Sequence, residues 1–141
     1  MRYLSLDIGN KRVGVAVGNS VTRLALPLAV ITRTNPMQDA AQLAEMIRAY
    51  EVELLVIGLP RNADGSVGEQ AALTRAYAAQ LEAQLALPLY FQDERYSTAT
   101  AQRAQRARGF DAKRGRATLD ASAAAVILQD FLDSLPPQAK D

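Results

Sequence analysis

Four consecutive apolar residues, Leu54 to Ile57, lie between two segments in which apolar residues recur at helical spacing. An uninterrupted apolar strand is typical of a sheet position that is covered on both faces. Another strand, Leu89 to Phe91, follows the second helical segment. This alternation of helices and strands predicts parallel crossover connections. The sequence therefore predicts an α/β fold in which helices flank the faces of one mixed sheet.

Three further strands are predicted before the first helix. Residues 2–8, 13–17 and 26–32 are rich in strand-forming residues, and turn residues at 9–12 separate the first two. The first two strands are therefore expected to pair as an antiparallel hairpin. Together with the two later strands they make a mixed five-stranded sheet.

Four helices are predicted around this sheet. Ser97 or Thr98 is expected to cap the third, which is basic and rich in alanine. A basic loop is predicted over residues 109–117, and the last helix is expected to begin near Thr118. The second helix has one row of side chains four residues apart: Leu73, Tyr77, Leu81 and Leu85. The last helix has a predicted inner row: Ala124, Ile127, Leu128, Phe131 and Leu132.

The complete lack of histidine and cysteine restricts the possible chemistry. It excludes Ser-His-Asp and Cys-His catalysis and zinc sites built on these ligands. Catalysis must use carboxylates, hydroxyls, lysine and arginine, or a metal ion held by oxygen ligands. The lack of cysteine fits a reducing, cytoplasmic setting, and neither a secretory leader nor a membrane-spanning segment is predicted. We expect a single domain over residues 1–135 and a disordered tail over 136–141.

Asp7 is an unusual residue for the apolar first strand. Strand alternation puts Leu4, Leu6 and Ile8 on one face, and Tyr3, Ser5 and Asp7 on the other. An isolated carboxylate is costly to bury, so Asp7 requires a cation, hydrogen-bond donors or open water. The choice depends on which other carboxylates lie at the end of the same strand.

Three more acidic residues are expected at that edge of the sheet. Asp93 and Glu94 follow the fifth strand, and Asp120 lies in the first turn of the last helix. If the first, fourth and fifth strands are parallel, these carboxylates gather near Asp7. Like charges repel in a partly desolvated cleft, and Mg²⁺ or Mn²⁺ would relieve the repulsion. Two such ions about 4 Å apart make a site for phosphoryl displacement.

Each of these acids also has a purely structural interpretation. Asp7 could brace the turn that follows it. Asp93 and Glu94 could favour the positive N-terminus of the third helix, and Asp120 that of the last helix. The sequence alone leaves these alternatives open.

Positive charge is concentrated in one segment. Residues 95–116 contain seven basic residues and one acidic residue, so this segment carries +6 and the rest of the chain −5. A basic segment on an otherwise acidic chain suggests a polyanionic partner, although a solvated helix face would look the same. The predicted phosphate contacts in this segment are Arg95, Arg103, Arg106, Lys113, Arg114 and Arg116. Outside it, Lys11, Arg12 and Arg61 are further candidates.

Four segments together resemble the YqgF/RuvX family, described as Holliday-junction resolvases with a ribonuclease H-like fold. They are LDIGNKRVGVAVG, VIGLPRNADGS, DERYSTATA and LDASAAAVILQDFL. The resemblance runs from about residue 3 to residue 133. The resemblance implies a metal-dependent nuclease with a role in maturing the 5′ end of the small-subunit ribosomal RNA precursor. The older proposal for the family is action on structured DNA.

The family's acids are carried over by position. Its first acid falls on Asp7, its Asp-Glu-Arg motif on Asp93, Glu94 and Arg95, and its late acid on Asp120. Glu94 is favoured over Asp93 as the metal ligand, so the implied catalytic set is Asp7, Glu94 and Asp120, with Asp93 beside it. The spacer before Asp120 is slightly longer than the family pattern.

Several functional alternatives remain at this level. The substrate could be RNA or a DNA junction, and the chain could work as a monomer or a homodimer. A non-catalytic, RNA-binding ribosome assembly factor could use the same fold. A relative of the actin and sugar-kinase group is a third class, but those proteins need two such domains to enclose a nucleotide.

Overall fold

The computed structural model describes residues 1–60, 68–93 and 113–136, with the backbone alone for 113–120. The predicted third helix and most of the predicted tail lie outside these residues. The strands are β1 (Arg2–Ile8), β2 (Arg12–Asn19), β3 (Ala25–Thr32), β4 (Leu54–Leu59) and β5 (Leu89–Asp93). The helices are α1 (Pro36–Tyr50), α2 (Glu69–Leu85) and α3 (Lys113–Ser134).

The five strands form one mixed sheet in the order β3-β2-β1-β4-β5. β1 pairs with β2 and β2 with β3 in antiparallel fashion, whereas β1, β4 and β5 are parallel. The predicted hairpin and the predicted parallel strands are therefore confirmed. β1 is the central strand, and its carboxyl end shares an edge of the sheet with those of β4 and β5.

Apolar cores cover the two faces of the sheet. On one face, Leu4 and Leu6 of β1 pack with residues of α1 and α2, including Leu43 and Leu81. On the other face, Tyr3 packs against α3, with its ring 5.0 Å from that of Phe131 in an edge-on arrangement. The predicted inner row of the last helix is buried throughout, which confirms it. No helix in the described ranges is long and apolar enough to cross a bilayer.

Two features of the helices differ from the predictions. Leu73 is 55% exposed, and its neighbour Thr74 is buried instead. A row of side chains four residues apart drifts about 40° per step around a helix, so a four-member row cannot face one core throughout. The last helix begins at Lys113 rather than near Thr118, so Asp120 lies about two turns after its start and not in its first turn as predicted. Good helix formers at 113, 114, 116 and 117 extend it through Gly115, which costs only about 1 kcal/mol relative to alanine.

Gly18 lies where β2 packs tightly against α3. A Cβ atom at this position would lie 2.8 Å from the Leu24 carbonyl oxygen and 3.0 Å from a Leu128 methyl carbon. We expect Gly18→Ala to lower the free energy of unfolding by about 1–3 kcal/mol, the usual cost of overpacking a core. Urea denaturation of the parent and G18A chains measures this difference. An unchanged midpoint would show that α3 is free to move away from the sheet.

Candidate active site

Asp7 lies at the carboxyl end of the central strand and is only 2% exposed. It shares a face of β1 with Tyr3 and Ser5, and both of these contact α3. The residue opposite Asp7 on β2 is Gly14. Paired residues of neighbouring strands project to the same face, so β2 places no side chain beside the carboxylate at this position. The carboxylate therefore occupies the face between the sheet and α3.

Ser5 sets the register between β1 and α3. Its hydroxyl donates a buried hydrogen bond of 2.7 Å to the carbonyl oxygen of Ala124. Two residues of strand advance about 6.6 Å and four residues of helix about 6 Å. Moving from Ser5 to Asp7 along β1 therefore corresponds to moving about one turn along α3, from position 124 toward position 120. The α3 backbone is helical throughout this interval.

Strand alternation separates Asp93 from Asp7. In the parallel pairings, Leu6 matches Ile57, Ile57 matches Phe91, and Leu59 matches Asp93. Phe91 faces α2, because the Arg75 guanidinium lies 5.5 Å from its ring. Asp93 is two residues further along β5 and so falls on the same face as Phe91, where it is exposed. It lies at the predicted edge of the sheet, but on the side opposite Asp7.

The turn after Asp7 is held by backbone hydrogen bonds. Gly9 N–H donates to the Arg12 carbonyl at 2.8 Å, and a Cβ on Gly9 would lie 2.9 Å from that oxygen. Arg33, just after β3, donates from its backbone N–H to the Lys11 carbonyl and from Nη1 to the Gly9 carbonyl at 2.7 Å. Lys11 is exposed and Arg12 is half-buried, so both predicted phosphate contacts lie on this fixed turn.

A buried polar network adjoins the turn, and no local sequence pattern indicates it. Asp39, which is fully buried, accepts hydrogen bonds from the backbone N–H and hydroxyl of Thr34 at 3.0 and 3.1 Å. It also accepts one from the Tyr77 hydroxyl at 2.6 Å. The guanidinium of Arg33 stacks 4.0 Å above the Tyr77 ring. Asn35 caps α1 by accepting from Gln38 N–H, a local pattern visible in the sequence.

Tyr77 gives the network a dependence on pH. Burial, reinforced by the hydrogen bond to Asp39, raises the pKa of Tyr77 well above its ordinary value of 10. Above pH 10 the unfolded chain releases this proton while the folded chain keeps it. The free energy of unfolding therefore falls as the pH rises above 10, by up to about 1.4 kcal/mol per pH unit.

The variant Tyr77→Phe tests this assignment. At neutral pH it removes a donor to a buried carboxylate and should lower the free energy of unfolding by about 1.5–3 kcal/mol. Because phenylalanine does not titrate, the difference in free energy of unfolding between the parent and the variant should become smaller above pH 10. Urea denaturation at pH 8 and pH 11 measures both values. An equal difference in free energy of unfolding at pH 8 and pH 11 would contradict the raised pKa of Tyr77.

The side chains of the remaining predicted site residues lie outside the described part of the structure. Residues Arg61, Glu94, Arg95, Arg103 and Arg106 lie outside the described residues. The backbones of the other four belong to the first turns of α3: Lys113, Arg114, Arg116 and Asp120. Among the side chains that are described, no three acidic groups come together as a metal site. Asp7 is therefore the one proposed ligand with a described side chain.

Comparison with known proteins identifies the family. The model of the RuvX family, described as Holliday junction resolvase, matches residues 1–134. The chain belongs to the RuvX family. A relative from Anaeromyxobacter dehalogenans is 44% identical over 97% of this chain and 100% of its own length. One from Moorella thermoacetica is 44% identical over 96% of both chains. Both carry the provisional name of pre-16S rRNA nuclease.

Solved structures establish the fold of this RuvX chain. Thermus thermophilus RuvC, in complex with a Holliday junction substrate, superposes with a TM-score of 0.52 at 17% identity over 94% of both chains. A fowlpox virus resolvase bound to junction DNA gives 0.50 at 8% identity, over 94% of this chain and 99% of its own. The fold is thus ribonuclease H-like: a mixed five-stranded sheet flanked by helices, as predicted.

Proposed function

We propose that the chain is a metal-dependent nuclease that hydrolyses phosphodiester bonds in the 5′-end maturation of pre-16S rRNA. The main observation is the buried carboxylate of Asp7 at the carboxyl end of the central strand, facing α3. Full-length relatives at 44% identity carry the name of this activity. We place the reaction in the cytoplasm, which suits a chain without cysteine.

Asp7, Glu94 and Asp120 are proposed to hold Mg²⁺ or Mn²⁺. Carboxylate oxygens are the ligands that these hard ions prefer. The Ser5 hydrogen bond to Ala124 supports Asp120 as a partner of Asp7, because position 120 lies one helical turn before Ala124 and Asp7 lies two residues after Ser5. The alternation of β5 supports Glu94 rather than Asp93 as the second ligand, since Asp93 falls on the other face. A divalent ion in such a site supplies Lewis-acid stabilisation at the scissile phosphodiester.

The basic residues are proposed to bind and orient the substrate. Phosphates of the nucleic acid would dock on the segment over residues 95–116 and on the exposed turn at Lys11. Contacts of this kind fix register but carry little sequence information, so selectivity would come from the shape of the RNA. Asp7 lies buried at the carboxyl end of the central strand and would keep its position while substrates exchange.

A cleavage panel tests the proposal. The substrates are pre-16S RNA with its 5′ extension, an unstructured single-stranded RNA and a four-way DNA junction, each with Mg²⁺, Mn²⁺ or a chelator. We expect cleavage of the precursor RNA with either ion and none with the chelator. No cleavage of any substrate would instead support a non-catalytic RNA-binding assembly factor.

Junction resolution is the second candidate function. It is favoured by the description of the family model and by the fold shared with a junction-bound RuvC. Cutting a symmetric junction on both strands needs two active sites, so this function would require a homodimer. Cleavage of the four-way DNA with the RNAs left intact, together with a dimeric mass in light scattering, would select it over the RNA function.

A further inference from the structure

A pocket of about 240 Å³ lies at the same edge of the sheet as Asp7 but on the opposite face. It is bounded by the β1–β2 turn, the start of α1 and the first half of α2. Ile8 lines it, and strand alternation directs neighbouring residues such as Ile8 and Asp7 to opposite faces. Only the end of β1 therefore separates this pocket from the candidate active site.

Thr74 supplies a buried hydroxyl that the fold leaves unsatisfied. The residue is 1% exposed and lines the pocket. Its Oγ1 atom has no hydrogen-bond partner among the residues that the structure describes. Buried polar atoms in native proteins nearly always have a partner, so an orphaned hydroxyl points to a group that the protein itself does not supply, such as a water molecule or an ion. A ligand oxygen in the pocket would satisfy Thr74.

Arg33 supplies positive charge to the same pocket. Its guanidinium is held from two sides, by the hydrogen bond from Nη1 to the Gly9 carbonyl and by the Tyr77 ring. Within the described ranges its guanidinium forms no salt bridge, since the ion pair found there joins Arg2 to Glu51. Asp39, the buried acid of this region, is engaged by Thr34 and Tyr77. Arg33 therefore keeps donors for an anion in a fixed orientation.

The other polar groups that the described residues contribute to the pocket are neutral. Asn10, Gln70 and Gln80 supply amides, and none of the described lining residues is acidic. A preoriented guanidinium, a hydroxyl and several amides suit a tetrahedral oxyanion, because arginine binds phosphate through two parallel hydrogen bonds. The polar lining and the limited volume argue against a large apolar ligand.

We infer that this pocket binds a backbone phosphate of the nucleic acid. The phosphate belongs to the same strand as the phosphodiester cleaved at Asp7 and is a different phosphate from that one. That the phosphate belongs to a nucleic-acid strand rests on the proposed nuclease function. That the pocket binds phosphate at all rests only on the residues that line it. A strand that crosses the carboxyl edge of the sheet would place one phosphate near Asp7 and another near Arg33. The Gly9 carbonyl links Arg33 to the turn that follows Asp7, so an occupied pocket would also steady that turn.

Binding measurements on three variants test the inference. Thr74→Val keeps the shape and removes the hydroxyl, Arg33→Lys keeps the charge and removes the planar fork, and Arg48→Lys is the control at the far end of α1. The probes are a labelled single-stranded RNA, followed by fluorescence anisotropy, and inorganic phosphate, followed by calorimetry, both with a chelator present. We expect T74V and R33K each to weaken binding of both probes about tenfold, and R48K to change neither.

Thermal unfolding separates binding from folding. Because the Thr74 hydroxyl has no partner, T74V should melt at the parent temperature or above it while it loses affinity. Unchanged affinity of T74V and R33K for both probes would overturn the inference. Loss of phosphate binding with unchanged RNA affinity would overturn the assignment to a nucleic-acid strand. If the parent fails to cleave any substrate but these variants still lose affinity for both probes, the nuclease proposal fails and the phosphate pocket stands.

Discussion

Replacing Asp7 by asparagine is expected to lower the cleavage rate by more than about a hundredfold, because a neutral amide is a far weaker ligand for Mg²⁺ or Mn²⁺ than a carboxylate. The substitution keeps the size and shape of a side chain that is 2% exposed. The fold and the surface that contacts nucleic acid should therefore be preserved. Single-turnover cleavage of precursor RNA at saturating enzyme isolates this effect from binding.

The stability of the same variant gives an independent readout. Asparagine matches aspartate in size and shape, so D7N should melt near the parent temperature without metal. Divalent ions should then raise the melting temperature of the parent but not of D7N, since ligands stabilise the state that binds them.

Asp93→Asn is the matched control for D7N, because it makes the same chemical change at the same edge of the sheet but on the opposite face. It should retain most of the activity. Parental cleavage by D7N would remove Asp7 from the mechanism, and loss of activity in D93N would assign Asp93 to the site.

Removing two charges from the basic segment should weaken binding rather than catalysis. The double variant Arg103→Gln with Arg106→Gln is expected to bind RNA about ten- to a hundredfold less tightly at low salt, since each phosphate contact releases condensed counterions. The slope of log affinity against log salt should become shallower by about 1.4 for a single strand and about 1.8 for a duplex. The cleavage rate at saturating enzyme should change little.

A charge-matched control is available at two arginines outside the basic segment. Arg2 begins β1 and Arg48 lies in the last turn of α1, both exposed. The double variant Arg2→Gln with Arg48→Gln carries the same net charge as the test variant. It should keep the parental affinity and salt slope. Equal losses in the two double variants would show that net charge, rather than the basic segment, governs binding.

The sheet and its faces could be predicted from sequence because period-two alternation and apolar runs report burial directly. The alternation of β1 gave the correct face for Asp7, and the apolar row of α3 gave the correct packing of Phe131. The start of α3 was missed because Gly115 and the surrounding charges resemble a loop. The local sequence pattern was sufficient where burial alone decides the structure, as for the faces of β1 and α3. It failed where burial does not decide, as at the start of α3.

The polar network could not be predicted, because its members are far apart in the chain and each has an ordinary local role. Asp39 reads as a first-turn helix acid, and Tyr77 reads as part of an apolar row. Their contact depends on how α1 packs on α2, which hydrophobic spacing does not specify. Thr74 was overlooked for a related reason, since the drift of a helical row decides which of two adjacent residues, Leu73 or Thr74, is buried.

The hydrogen bond between Ser5 and Ala124 has a consequence for how this chain tolerates changes in length. It fixes α3 to the central strand one turn after Asp120. One inserted residue would rotate everything before it by about 100° around the helix axis and advance it by about 1.5 Å. A single-residue insertion or deletion between 120 and 124 should therefore leave the apolar packing of the rest of α3 intact while it turns Asp120 away from the position proposed for it as a metal ligand.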